Sequence, residues 1–379
     1  MCTSRENLLK PEAAVDPITL RREVLARFGA TGRVAEELLA YNDNVFAHPP
    51  PQKYPLDDEP FVADWRRYAE EARGTGVFPV LKEKLVQLRF PVREGMSSTA
   101  AYQAVTRQGA NPRGMPEATG LILRSPDSLE LIFHPTPAGH LPVIVVRERS
   151  DFVALVQALV RRNEPEPIPD TMGACLISGY RNWDRLKRHR DGREPSGEGG
   201  ELPKELYLDR FAIVTDGPYS KVGAAEMGLP EHEWRMLSLA IRLEHESVHY
   251  FTRRVLGAMR TRLLDELIAD FVAIIVAAGE YRAEWFLRFL GLERYPDCRP
   301  DGRIHQYRGT LSDGAFAILQ GLVVEAARRL EKWNRRFPGG KLSHEEKARL
   351  ILTLSRFTLE ELADDEGFRR LADETKTDG

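Results

Sequence analysis

The residues best suited to chemistry fall in one stretch, Pro230 to Gly279, reading PEHEWRMLSLAIRLEHESVHYFTRRVLGAMRTRLLDELIADFVAIIVAAG. Within it His245, Glu246 and His249 stand in the order H-E-x-x-H. Side chains four residues apart on a helix project from one face, so both imidazoles can reach a single point. That spacing can grip one zinc ion while the glutamate between them activates a water. Nine histidines in 379 residues, with all 57 acids standing in for Glu, predict only about 0.03 accidental matches to the pattern. The alternative is a charged helix with incidental histidines. Against it, Trp234, Leu237, Ile241, Val248 and Val255 follow helical spacing, and His245 falls inside their stripe. Histidines and a glutamate on a mostly buried helix need partners, and one metal ion satisfies all three.

A catalytic zinc takes three protein ligands and leaves its fourth position open. Asp265, Glu266 and Asp270 lie beyond a break near Gly257, on a second helix that can pack antiparallel to the first. Glu266 is favoured over Asp265 or Asp270 as the third ligand. Asp270 then shares its face, four residues on, and can support a ligand histidine. Asp265 is expected to point elsewhere.

HESVH followed by DELIAD resembles the gluzincin branch of the zincin metallopeptidases, where H-E-x-x-H precedes a helix bearing Glu-x-x-x-Asp. The resemblance is confined to the stretch from His245 to Asp270. It implies His245, His249 and Glu266 as zinc ligands, Glu246 as general base and Asp270 as the support of a ligand. It also implies a substrate lying along a sheet edge beside the helix, and FAIVT, Phe211 to Thr215, is the strand best placed for that. Asp265 stands where thermolysin-like members carry Asn, and the interval between the two motifs is shorter than theirs. No flanking signature carries a substrate class across.

The chemistry expected of such a site is zinc-assisted hydrolysis of a peptide or amide bond, in a peptide or protein substrate. Glu246 would take a proton from water and pass it to the leaving amine. The oxyanion needs a further donor, for which Tyr250, Tyr281, His305 and Tyr307 qualify by type. The loop RIHQY, with His305 and Tyr307, is the first choice, against the plainer view of each as an ordinary partly buried aromatic. The competing function is a zinc-bearing, zincin-like binding or regulatory protein without peptidase activity. A third is a helical nucleic-acid-associated protein.

Other features rank lower. Arg181, Arg185, Lys187, Arg188, Arg190 and Arg193 form a basic run, read as a solvated helix face because the total charge is only −3. No nucleic acid is expected as partner. Arg253, Arg254, Arg260 and Arg262 follow the candidate zinc helix, where cations offset its dipole or hold an acidic substrate group. The glycines of SGEGG lack the Lys-Ser/Thr of a phosphate loop, and there is no G-x-S-x-G.

The elements that must position these residues follow from periodicity. Helical patterns cover about 18 to 45, FVADWRRYAEEAR and VFPVLKEKLVQLRF, around a rigid, exposed connector from His48 to Pro60. From Gly120 the period shifts to alternation, predicting two or three short strands before the helix DFVALVQALVRRN, with Asp151 as its cap. TMGACLISGY is a strand or loop, NWDRLKRHR a helix, and DGREPSGEGGELPKE a flexible loop. After the metal stretch the chain is mostly helical, to a frayed tail. The expected class is α+β, predominantly helical, with a zincin-like core in which a small sheet lies beside the H-E-x-x-H helix. The expected regions are 1–115, mainly helical; 116–290, catalytic; and 291–379, helical and able to pack with the catalytic region. Three widely spaced cysteines, Cys2, Cys175 and Cys298, suit reduced thiols. The start lacks the apolar core of a secretory signal, and no apolar run spans a membrane, so the cytoplasm is expected.

Overall fold

The computed structural model describes residues 16–191, 203–259, 262–336 and 340–374. Cys2, Arg193, Arg260, the SGEGG loop and the last five residues of the tail lie outside them, as do the side chains of Arg190 and Asp191. The N-terminal region folds as α1 (Pro17–Arg27), α2 (Gly32–Tyr41), α3 (Phe61–Thr75), α4 (Val77–Lys84) and α5 (Ala100–Gln108). A small sheet follows, made of β1 (Glu130–Thr136), β2 (Gly139–Val146), β3 (Ala174–Arg181) and β4 (Leu208–Thr215), with α6 (Arg149–Leu159) and α7 (Trp183–Asp191) between its strands. The rest is helical: α8 (Ala224–Met227), α9 (Glu231–Val255), α10 (Leu263–Ala278), α11 (Ala283–Leu290), α12 (Asp313–Asn334), α13 (His344–Leu354), α14 (Leu359–Leu362) and α15 (Asp365–Glu374). The protein is α+β and predominantly helical.

The strand order is β1-β2-β4-β3. β1 and β2 form a hairpin, β2 and β4 run parallel, and β3 returns antiparallel on the far side of β4. FAIVT is therefore an interior strand, paired on both sides, and not the sheet edge expected of it. Its residues Phe211 to Val214 are fully buried, which explains a near-continuous apolar run. The sheet edges are β1 and β3, both in contact with α9. Leu121 to Leu123, expected as a possible third strand before the hairpin, is irregular.

α9 lies across β1, β3 and β4 on one side and packs against α10 on the other. It runs without glycine or proline, and Gly257, at φ 71°, terminates it in the left-handed region. One hydrophobic core joins all three sequence regions, from Val24 through Trp65, Ile213 and Ile268 to Trp333 and Leu371. A satellite cluster of Phe90, Met96, Tyr102 and Val105 sits apart from it.

Two local expectations are corrected and a third is extended. Asp151 does not cap its own helix, whose N-cap is Glu148. Its carboxylate accepts the backbone N–H groups of Arg124 and Ser125, both at 2.8 Å, so it anchors the segment before the hairpin. The connector from His48 to Pro60 is mostly exposed, as expected, and its last residues are also tied to the sheet and α9. Glu59 accepts from Tyr250 of α9 at 2.8 Å, Asp58 from the His140 N–H at 2.8 Å, and the Asp57 carbonyl from Arg254 at 2.8 Å. The basic run is a solvated face only in part, since Arg181 and Lys187 are exposed but two of its arginines are not free. Arg185 is fully buried and pairs with Asp64 and Asp209, while Arg188 pairs with Asp64 and Asp184, tying α7 to α3 and β4.

Candidate metal centre

His245 and His249 present their Nε2 atoms to one another at 3.0 Å. Glu266, in the first turn of α10, brings Oε2 to 3.5 Å from His245 Nε2 and Oε1 to 3.5 Å from His249 Nε2. A tetrahedral ion with bonds of about 2.05 Å separates its ligand atoms by roughly 3.3 Å, so this trio has the spacing of three corners of such a shell. One atom from each of the three residues fits within a span of 4.8 Å, and both histidines are buried. The contacts run in opposite senses along the two helices, as antiparallel packing requires.

Each imidazole is held from behind. Asp270 Oδ1 lies 2.8 Å from His245 Nδ1. Fully buried, Asp270 also accepts the Tyr219 hydroxyl at 2.6 Å and an N–H from Arg303, whose other nitrogen donates to the Tyr219 oxygen at 3.1 Å. Burial alone would raise the Asp270 carboxyl, but Arg303 and His245 outweigh it and hold it below the usual value. An ionised Asp270 can only accept, which places the proton on His245 Nδ1 and leaves the Nε2 lone pair facing His249 and Glu266. Asp265 stands behind His249 in the corresponding place, with Oδ2 at 3.1 Å from Nδ1, an ion-pair contact whose angle falls short of a hydrogen bond. This corrects the expectation that Asp265 points elsewhere. Burial would lower the His249 imidazole, yet Asp265 and Glu266 raise it well above the ordinary histidine value.

Glu266 accepts the Tyr307 hydroxyl at 2.8 Å, and the Tyr307 carbonyl accepts the Tyr41 hydroxyl at 2.6 Å. Its carboxyl is held well below normal: burial opposes this, and His249, His245 and Arg303 overcome it. Glu246, on α9 between the two histidines, is raised above the ordinary carboxylate by burial, partly offset by those histidines. The Leu176 backbone N–H of β3 faces it.

These groups line a cleft of about 290 Å³, closed on its other sides by Thr171 to Leu176, Ser220, Arg242, Met259, Arg303 and Gln306. Gln306 donates to the Thr171 hydroxyl across the cleft. Arg242 is buried and engaged by the carbonyls of Gly217 and Pro218. Burial lowers its guanidinium to about 10. Ser220, at φ 49°, is also buried, and its hydroxyl has no partner among the described residues. Cys175 lines the cleft with a thiol pushed up to about 12 by burial, which is not the environment of a nucleophile.

The chain belongs to the family of unknown function DUF7005, whose model matches residues 23–366. No curated protein and no solved structure matches it. The match spans the sheet, both site helices and the C-terminal helices alike.

Of the residues singled out by sequence, His245, Glu246, His249, Glu266, Asp270 and Tyr307 come together. His305 does not. The RIHQY segment forms a 3-10 turn, Arg303–Tyr307, with about three residues per turn, so Arg303 and Gln306 share the face toward the cleft and His305 faces away. The His305 ring instead meets the Arg299 carbonyl at 3.1 Å and the Cys298 sulfur at 3.5 Å. Tyr250 and Tyr281 are likewise remote from the cleft lining, the first committed to Glu59. Tyr219, Ser220, Arg242 and Arg303 were missed. Tyr219, Ser220 and Arg303 come from short turns between the helices and strands, where no periodic spacing signals a role, whereas Arg242 lies on α9 three residues before His245, a helical spacing that could have found it.

Proposed function

We propose that this protein is a zinc-dependent hydrolase with a gluzincin-like site, cleaving a peptide or amide bond. What carries the proposal is the convergence of His245, His249 and Glu266, with Asp270 and Tyr307 hydrogen-bonded behind His245 and Glu266 and the Asp265 carboxylate in ion-pair contact behind His249. Three such ligands from nitrogen and oxygen, with an open side toward a cleft, suit a catalytic rather than a closed structural ion. Bound there, zinc would supply an acidified water and polarise the scissile carbonyl.

The chain's own residues do the rest. Asp270, Asp265 and Tyr307 hold the three ligand side chains in place. Glu246 accepts the proton of the attacking water at its carboxylate and returns it to the leaving nitrogen. The unpaired Ser220 hydroxyl, lining the same cleft, is the group we assign to hydrogen-bonding the substrate carbonyl as charge develops on it. The free edge of β3 at Ala174 and Leu176 offers main-chain partners to an extended substrate.

Metal analysis with paired variants tests the proposal. Wild-type protein is expected to hold one zinc per chain, and His245→Ala to lose it. Glu246→Gln is expected to keep the metal and lose turnover of a casein-derived or quenched-fluorescent peptide pool by at least a hundredfold. A protein purified without stoichiometric zinc, indifferent to His245→Ala, would refute the metal; undiminished turnover in Glu246→Gln would refute the mechanism.

A further inference from the structure

Among the described residues, β3 leaves one edge unpaired. The Thr215 N–H donates to the Gly173 carbonyl at 2.8 Å, and Ala174 stands opposite Val214. Hydrogen-bonded pairs alternate along an antiparallel ladder, so Ala174, Leu176 and Ser178 turn their N–H and C=O groups away from β4. A bulge between Ser178 and Tyr180 then ends the regular edge. Beside this edge runs a groove of about 820 Å³, walled by Val45, Val160, Met259, Arg181 and Arg253. It shares Leu176 and Met259 with the cleft of the candidate metal centre, so the two adjoin.

The walls combine exposed aliphatic side chains with exposed cations. Val45 is 54% exposed and Val160 38%, placing aliphatic surface in water on the groove wall. Arg181 and Arg253 are both exposed, and neither has a carboxylate partner among the described residues. Arg253 touches the Gly257 carbonyl at 3.4 Å, and Arg181 lies over the rings of Trp183 and Tyr207. Most other arginines nearby, Arg185, Arg188 and Arg210 among them, are paired.

We propose that this groove takes an extended acidic peptide as an added strand on β3, its side-chain carboxylates facing Arg181 and Arg253. The inference rests on the hydrolase reading and names its substrate class. Main-chain bonds to Ala174, Leu176 and Ser178 set the register, and the two arginines select by charge. Arg181 lies five residues beyond Leu176 along β3, roughly 16 Å in an extended strand. Arg253 lies one helical turn beyond His249, about 6 Å along α9. Acidic side chains are therefore favoured at two distances to one side of the scissile bond.

The test uses full-length zinc-loaded Glu246→Gln protein, so that binding is read without cleavage. The probes are fluorescein-labelled alanine–valine octapeptides carrying a Glu-Glu pair, a Gln-Gln pair or a Lys-Lys pair, scanned along the peptide. Anisotropy is expected to show the Glu-Glu peptide bound about tenfold more tightly than its Gln-Gln twin at one or two positions, with the Lys-Lys peptide weakest. Arg181→Ser combined with Arg253→Ser should erase that preference, and Arg181→Lys with Arg253→Lys should retain most of it. Equal affinity for the three peptides, or preference untouched by the serine pair, overturns the inference. So does displacement of the acidic peptide by a single-stranded dT12, which would mark the cations as a nucleic-acid surface. Wild-type protein that binds acidic peptides with this preference but leaves them intact would sink the hydrolase reading and leave the groove standing. Wild-type protein that cuts peptides without charge preference would do the reverse.

Discussion

Asp270 is the residue whose loss should be felt most at the site, because three donors from three separate segments converge on it. Asp270→Asn keeps the shape but removes the ionised acceptor behind His245, and competition with a chelator is expected to show zinc affinity lowered 10–100-fold. Asp265→Asn acts on His249 through a contact of poorer angle, so its effect should fall at the low end of that range. Similar affinity for Asp270→Asn and wild type would show that the aspartate does not orient the ligand. Ser220→Ala is expected to lower kcat about tenfold or more with KM little changed, since it removes a donor needed as charge develops. A change confined to KM would place Ser220 in ground-state binding instead. At this scale the sequence was legible wherever spacing on one helix decided the geometry. His245 with His249, and Glu266 with Asp270, are each four residues apart and needed no tertiary knowledge. Asp265 was misjudged because its partner lies on the other helix, one turn nearer the connecting loop. Tyr219 and Arg303 reach the site through loop paths that no local period encodes.

At the level of elements, the approach of β3 to α9 controls the width of the cleft, and Gly173 governs that approach. A Cβ at Gly173 would stand 2.7 Å from the guanidinium carbon of Arg242, a side chain held by two carbonyls and unable to swing away. Gly173→Ala is therefore expected to destabilise the fold by about 1–3 kcal/mol, read as a lowered Tm, and to reduce turnover beyond what stability explains. A variant with unchanged Tm and activity would show that the strand end shifts freely. The long helices were readable from periodicity, and α9 and α10 appear where the pattern placed them. The sheet order was not. An apolar run such as FAIVT looks alike at an edge beside a helix and at the centre of a mixed sheet, and only long-range pairing separates the two.

Across the whole molecule, the residue preceding His245 links the site to distant parts of the chain. Glu244 is buried, accepts both bonds of Lys347 from α13 at 2.8 and 2.9 Å, and lies 3.2 Å from His134 of β1. Burial would raise its carboxyl, but His134 and Lys347 hold it below the usual value. A depressed folded-state value means the contribution is present above the unfolded carboxylate value and is lost as pH falls through the acid range. Lys347→Met leaves a buried carboxylate with only His134 beside it, at an expected cost of about 3 kcal/mol near neutrality. The sign then reverses: the deficit in Tm against wild type should shrink from pH 7.5 toward pH 5, where Glu244 can take up a proton. Adding Glu244→Gln should restore much of the loss at pH 7.5. A deficit independent of pH, or no rescue, would show that Lys347 acts through packing alone. The three regions read along the sequence share one core for the same reason that this triad exists, since the C-terminal helices complete the burial of α9.

That triad also bears on inheritance. A chain ending before α13 would strand a carboxylate beside the ligand helix, and a chain beginning after β1 would remove its other neighbour. The stretch from Pro230 to Gly279 is therefore not a portable cassette. Gene fusion, shuffling or grafting would have to carry almost the whole polypeptide, and natural variants are expected to add segments at its ends rather than trade pieces of its interior.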